Sequence, residues 1–251
     1  MEGSTKYEKQ EVAGKSIVVT GGTTGIGRAT AILLAAEGAD VIIVGLDEQH
    51  LNDALEDINK TAKGQVHGLL ADLATEEGIK AVFEKVDSTF DRLDIFVNNA
   101  ALPYGSVTEG NYNEWQRVIN TNLLAYLACT AEAVNRMEPN KEGHIVNIGS
   151  MSADVREETS SVYVAAKSGI QGFSESLRKE INPKGIKLSL IEPGAVDTDM
   201  QAESTEQKKE NVENLEMMTA DDIAYAVLYC ITQPKRCDVA ELKVRPHLQL
   251  I

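Results

Sequence analysis

A chain of 251 residues with 43% apolar residues has ample material for a core, and its length suits one large α/β domain or two small ones. Its formal net charge of −15 argues against nucleic acid or an anionic membrane surface as a partner, because both reward a basic face. Three cysteines (Cys129, Cys230, Cys237) and four scattered histidines (His50, His67, His144, His247) fall at no metal-ligand spacing, and no apolar run is long enough to span a membrane. With no apolar signal core at the N-terminus, the expectation is a cytoplasmic protein with reduced thiols and no metal.

Residues 1–12 read as a mobile lead-in, and residues 13–251 as a single domain. The β-branched run at 15–20 reads as a buried parallel strand. It leads into Gly21-Gly22-Thr23-Thr24-Gly25-Ile26-Gly27, then a helix over 28–37 stopped by Gly38, then a strand over 40–45. In this βαβ unit the glycines occupy the turn that faces a phosphate, where the backbone must bend tightly and let a pyrophosphate reach the helix N-terminus. The alternation continues with helices at 48–60, 76–89 and 112–137 and strands at 65–71, 93–97 and 144–149. A helix carrying Tyr163 and Lys167 follows, broken by Pro183-Lys184-Gly185, then a strand at 186–191 ending in Glu192-Pro193-Gly194. Residues 199–218 are highly charged with little to bury, and read as a loop or loose helix that could serve as a lid. A helix at 221–232 and an alternating strand at 239–244 close the chain. Strands alternating with helices throughout predict an α/β fold: one doubly wound parallel sheet with helices on both faces.

In such sheets ligands bind beyond the carboxyl ends of the strands. The polar signals of this chain gather there: the glycine turn, Asp72, Asn98-Asn99, Ser150 and Pro193-Gly194. Tyr163 and Lys167 stand one helical turn apart and share a helix face. A cation beside a phenol favours the phenolate, drawing its pKa down from about 10 towards neutrality, where it can both give and take a proton. Such a pair is common by chance, and its weight comes from the company it keeps.

On these residues the chain resembles the short-chain dehydrogenase/reductase family, from about residue 12 to 245. The matching positions are Thr20-Gly21-x-x-x-Gly25-Ile26-Gly27, Asp72, Asn98-Asn99-Ala100, Asn122, Ser150, Tyr163-x-x-x-Lys167 and Pro193-Gly194-x-Val196-x-Thr198. The resemblance implies a Rossmann-type fold and an oxidoreductase that moves a hydride between a nicotinamide cofactor and a carbonyl or secondary alcohol. Tyr163 would be its general acid/base, with Lys167 lowering the phenol pKa and bonding the nicotinamide ribose. Ser150 would orient the substrate oxygen, and Asn122 would hold a water relaying protons to Lys167. Gly21, Thr24, Gly25, Ile26 and Gly27 would cradle the pyrophosphate, and Asp72 and Leu73 would meet the adenine. Asn99, Ala100, Pro193, Gly194, Val196 and Thr198 would line the nicotinamide side. Asn122 could instead bond backbone at a helix kink, Asn98 could be structural, Asp197 and Asp199 read as solvated, and His144 shows no partner.

The choice between NAD and NADP is written at the end of the second strand, where an acidic residue binds a ribose hydroxyl pair or an arginine a 2′-phosphate. Here those positions hold Gly45 and Leu46, followed by Asp47 and Glu48. The lack of a cation for a phosphate leans towards NAD, while the surrounding frame resembles NADP users with arginine at position 46. The substrate wall is expected from Leu102, Pro103, Tyr104, Met151, the 154–160 loop and the 199–218 segment. The C-terminal tail resembles that of reductases acting on small 3-hydroxy acids and related alcohols. Val118, Leu123, Leu124, Leu127 and Ala131 give the long helix more apolar surface than a sheet face needs, which fits the family's paired-helix homodimer or homotetramer. The alternative from another class is a catalytically idle dinucleotide-binding sensor or scaffold; isomerisation or dehydration on the same fold is a third.

Overall fold

The computed structural model describes residues 7–201 and 203–249. Seven strands form one sheet in the order β3-β2-β1-β4-β5-β6-β7: β1 (Ser16–Thr20), β2 (Asp40–Gly45), β3 (Val66–Leu70), β4 (Ile95–Asn98), β5 (Gly143–Ile148), β6 (Ile186–Pro193) and β7 (Glu241–Val244). Every pairing is parallel. The strand order reverses between β1 and β4, which opens a crevice at their carboxyl ends.

The sheet is buried on both faces because its strands are continuous β-branched runs, with neighbours such as Ile17, Val18 and Val19 pointing alternately to opposite sides. One face packs α1 (Gly25–Ala36), α2 (Glu48–Asn59) and α9 (Ala220–Ile231) through Leu34, Leu51, Ile58, Ile223 and Val227. The other packs α3 (Glu76–Thr89), α5 (Ala125–Met137) and α7 (Ser161–Ile181) through Val82, Phe83, Cys129, Met137 and Ile181. Fully burying each such side chain contributes roughly 1.5–3 kcal/mol. The expected doubly wound architecture is the one observed.

Several local expectations need correction. The long helix spans 112–137 as expected but is not regular: α4 (Tyr112–Ile119) passes into α5 through a wider π-type turn at Asn120–Leu124. A four-residue helix, α6 (Ser152–Val155), lies between β5 and α7, too short to leave a periodic signal. Residues 7–12 are docked rather than free, with Val12 buried, the Gln10 amide donating to the Thr232 carbonyl at 2.8 Å and the Tyr7 hydroxyl bonded to Gln233; residues 1–6 lie outside the described residues. Between 199 and 218, α8 (Thr205–Glu213) is indeed charged, but Met217 and Met218 are buried, and Met218 pairs with Val196. Asp197 is not simply solvated, since Lys208 approaches it at 3.2 Å and donates to the Thr198 carbonyl at 2.9 Å. His144 lies inside β5, buried, with its Nε2 2.9 Å from Ser189 Oγ on β6.

Candidate active site

The glycine turn leaves β1 and enters α1 under tight steric control. Gly21 and Gly25 adopt left-handed φ values of 60° and 49°, which cost a residue with a side chain but not glycine. A Cβ on Gly21 would lie 2.8 Å from Ala100 Cα, and one on Gly27 only 2.1 Å from the Gly21 carbonyl oxygen. The first turn of α1 carries no acidic residue, and the Thr24 side chain caps none of its amides. Its N–H groups and dipole therefore face the crevice unclaimed, a fit for a pyrophosphate.

Asn99 fastens this turn to β4: its side-chain amide donates to the carbonyls of Thr20 (2.9 Å) and Gly21 (3.0 Å), while its backbone N–H donates to Thr20 Oγ1 at 2.9 Å. Asn98 points the other way. Its buried amide donates to Thr130 Oγ1 and Asn147 Oδ1, both at 2.9 Å, so its work is structural.

Two adjoining cavities run along the strand ends. The first, about 350 Å³, is lined by Gly21, Thr24, Gly25, Ile26, Leu46, Asp72, Leu73, Asn99, Ala100 and Thr198. It also takes in Thr23, Gly45, Asp47, His50 and Thr121. The second, about 410 Å³, is lined by Ser150, Tyr163, Lys167, Pro193, Gly194 and Val196, with Pro103, Tyr104, Met151 and Val155 around them. Ile26, Asn99, Ala101, Thr198 and Met200 border both, so the two form one groove. Gly27 and Asn122 line neither: Gly27 supports the turn from behind, and Leu102 faces the first cavity rather than the substrate side. Gln249 and Ser152, which carry no sequence signal for a site, also line the second cavity; Gln249 comes from the tail and accepts a hydrogen bond from the Ala195 N–H at 3.1 Å.

Lys167 is almost completely buried, and its Nζ donates to the Ile148 carbonyl at 2.9 Å, 5.7 Å from the centre of the Tyr163 ring. Burial brings its ammonium down to about 7, with the Glu192 carboxylate opposing that fall. Tyr163 keeps a partly open face to the cavity, yet the protein packed around it raises the phenol to about 12; the Ser150 hydroxyl pulls it down and Glu157 pushes it further up. The expectation that Lys167 brings the phenol towards neutrality is therefore not met here. Desolvation is the largest effect on the phenol, and the lysine, brought down to about 7 by its own burial, is only partly charged near neutral pH. What the cavity holds is a protonated phenol beside a serine hydroxyl and an amine.

Glu192 at the end of β6 has no exposed surface; burial first, then Glu241, pushes its carboxyl up to about 7. Asn122 is buried in the π-type turn, and its side chain both donates to the Leu102 carbonyl (2.8 Å) and accepts from the Leu102 N–H (2.7 Å). Bonding backbone at a helix kink, the alternative kept open for it, describes this side chain. Asp72 accepts from the Ala74 N–H at 3.0 Å and pairs with Arg117 at 3.0 Å; a carboxylate retains further lone pairs for a ligand.

At the end of β2, a Cβ on Gly45 would come within 2.4 Å of Thr23 Cγ2, so a carboxylate side chain has no room at that position. Asp47, two residues on, caps α2, accepting from the His50 N–H at 2.8 Å.

This combination of glycine turn, strand-end asparagine and serine–tyrosine–lysine cavity has a counterpart in sequence families, for residues 15–209 match the short chain dehydrogenase family. The chain belongs to that family. A relative from Staphylococcus epidermidis, named an uncharacterized oxidoreductase, is 33% identical over 237 residues, covering 94% of this chain and 99% of that protein. A Staphylococcus aureus protein of the same description is 34% identical over 235 residues, covering 92% and 97%. Among solved structures, a metagenomic short-chain oxidoreductase in complex with NADP superposes with a TM-score of 0.81 at 28% identity, covering 95% of this chain and all of that one. This short-chain dehydrogenase is thus an oxidoreductase by family. Among the described residues no three His, Cys, Asp or Glu side chains are grouped to hold a metal, and no helix is long and apolar enough to cross a membrane.

Proposed function

We propose that the protein is a nicotinamide-dependent alcohol dehydrogenase or ketone reductase (EC 1.1.1.-) acting on a small substrate. The observation that carries this reading is the meeting of Ser150, Tyr163 and Lys167 in one cavity that continues the groove from the glycine turn. A bound nicotinamide dinucleotide would supply or accept the hydride. The chain's own part is to hold that cofactor through the glycine turn, Asn99 and Thr198, to orient the substrate oxygen by the Ser150 hydroxyl, and to exchange a proton at Tyr163 Oη. A phenol at about 12 is protonated at working pH and so stands ready to donate to a carbonyl oxygen. Lys167, at about 7, can take up or release the compensating proton. An idle dinucleotide sensor would need the turn but not this trio, which favours catalysis.

Either dinucleotide is a candidate. The structural relative holds NADP, and the two residues that could have favoured NAD offer no free carboxylate: position 45 is filled by Thr23 and Asp47 is engaged as a cap. The lean towards NAD has no support. Residues 199–218, tied to Thr198 through Lys208, would act as the substrate lid, and residues 13–251 as one catalytic domain. Half or more of Tyr112 and Leu124 is exposed (68% and 51%), which supports a homodimer or homotetramer through α4, α5 and α7; a monomer in sedimentation at micromolar concentration would refute that assembly.

The test is absorbance at the nicotinamide band with a panel of ketones and alcohols, wild type against Tyr163→Phe. Loss of the proton donor should lower kcat by roughly 10²–10⁴-fold with dinucleotide binding retained. Tight dinucleotide binding with no turnover on the panel would return the reading to the sensor.

A further inference from the structure

We propose that Glu157 selects substrates bearing a positive charge, so that the preferred ligand of the second cavity is an amine-containing alcohol or ketone rather than a hydroxy or keto acid. This inference rests on the reading of that cavity as the substrate site. Among the described residues lining it, two carry ionisable charge at neutral pH, Glu157 and Lys167. Lys167 is buried, its Nζ is already bonded to the Ile148 carbonyl, and burial leaves it only partly charged. A carboxylate ligand would therefore meet no free cation, and one anion.

The chain turns Glu157 into this position deliberately. Arg156 and Thr159 on either side of the pair Glu157 and Glu158 both adopt left-handed backbone, with φ of 56° and 66°. Neither is glycine, and such conformations persist in folded proteins only where surrounding structure enforces them, often beside functional sites. The reversal brings Glu157 Oε1 within 3.1 Å of Ser152 Oγ, another residue of the cavity wall. Arg156, the adjacent cation, is turned elsewhere: its Nε donates to the Ala153 carbonyl at 3.3 Å and it does not line the cavity. That the Glu157 charge reaches the reacting end is visible in its upward push on the Tyr163 phenol. The remaining wall is rich in neutral polar groups (Ser150, Ser152, Ser160, Tyr104, Gln201, Gln249), suited to a hydroxylated or amine-bearing molecule. A net charge of −15 further raises the local concentration of cations over anions. The C-terminal resemblance to reductases of 3-hydroxy acids is thus at odds with the charge of the cavity.

The experiment pairs kinetics with binding. Three ketones of equal length, ending in an ammonium, a methyl or a carboxylate, are compared as substrates of wild type and Glu157→Gln. An exposed ion pair of this kind is worth up to about fivefold, so the ammonium-to-methyl ratio of kcat/KM should exceed one in wild type and fall by about fivefold in the variant. In parallel, butylammonium and butyrate are titrated calorimetrically into both proteins; wild type should bind the amine more tightly, and Glu157→Gln should erase the difference. A wild type that prefers the carboxylate, or ratios unmoved by the substitution, would overturn the proposal while leaving the oxidoreductase reading intact. Turnover of none of the three ketones, with Glu157-dependent amine binding, would do the reverse.

Discussion

His144 gives the most direct quantitative test of how this core is built. The imidazole is buried inside β5 and bonded at 2.9 Å to Ser189 Oγ, and burial, aided by the Lys187 charge, brings its pKa from 6.5 to about 3. The folded protein therefore keeps it neutral, whereas the unfolded chain protonates it below about pH 6.5. Because the folded pKa is depressed, the associated stability is complete above pH 6.5 and is lost as pH falls from there towards 3. At pH 5 the gap from 6.5 is about 1.5 units, and at 1.36 kcal/mol per unit the loss is about 2 kcal/mol. Other groups titrate in the same range, Glu192 in the opposite sense, so a difference measurement is needed. His144→Gln removes the titration while keeping an amide for Ser189. Urea unfolding of both proteins at pH 7.5 and pH 5 should show wild type losing about 2 kcal/mol more than the variant. Parallel losses, equal within about 0.5 kcal/mol, would refute the account, because the imidazole would then be no harder to protonate folded than unfolded.

Gly27→Ala should fail by overpacking, since its Cβ would meet the Gly21 carbonyl at 2.1 Å and that backbone cannot yield cheaply; a cost of about 1–3 kcal/mol in urea unfolding is expected, with weakened dinucleotide binding by fluorescence titration. Wild-type behaviour in both would contradict the packing of the turn. Leu46→Arg should shift kcat/KM towards NADPH over NADH by about tenfold or more, as a phosphate partner is worth roughly 1.5–3 kcal/mol. Gly45→Asp alone should not produce the opposite shift, because Thr23 occupies the space; adding Thr23→Ala, which removes both Cγ2 and Oγ1, should restore room for the carboxylate, and side-by-side kinetics of the single and double variants check it.

Much of this architecture is legible in the sequence because its strands are buried on both sides. Ile17–Val19 and Val41–Val44 could only be interior strands, and Gly38 and Pro183 punctuate the helices between them. The strand-end placement of Asn99, Ser150 and Thr198 follows from topology once the parallel order is known. What local pattern could not convey is how neighbours spend one another's polar groups. Asn122 looks like a free amide in sequence, but Leu102, twenty residues earlier, engages it. The helical spacing of Tyr163 and Lys167 correctly brings them together but says nothing of desolvation, which sets both their proton affinities. Gln249 and the buried Met217 and Met218 are likewise assigned by contacts remote in sequence. No periodic signal marks them.

The π-type turn at Asn120–Leu124 also sets the phase of everything beyond it. A π-type turn holds one residue more than a regular α-turn and a helix advances about 100° per residue, so closing the turn into regular α-geometry with no residue removed would rotate α5 by about that angle relative to α4. Cys129, Ala133 and Met137 would swing out of the core, and Asn122 would lose its hold on Leu102. Hence turn and helix length are matched: a residue added to or removed from α5, beyond the turn, would put its buried face out of phase by about 100°. The reading frame of the helix, as much as any side chain on it, keeps the floor of the groove in place.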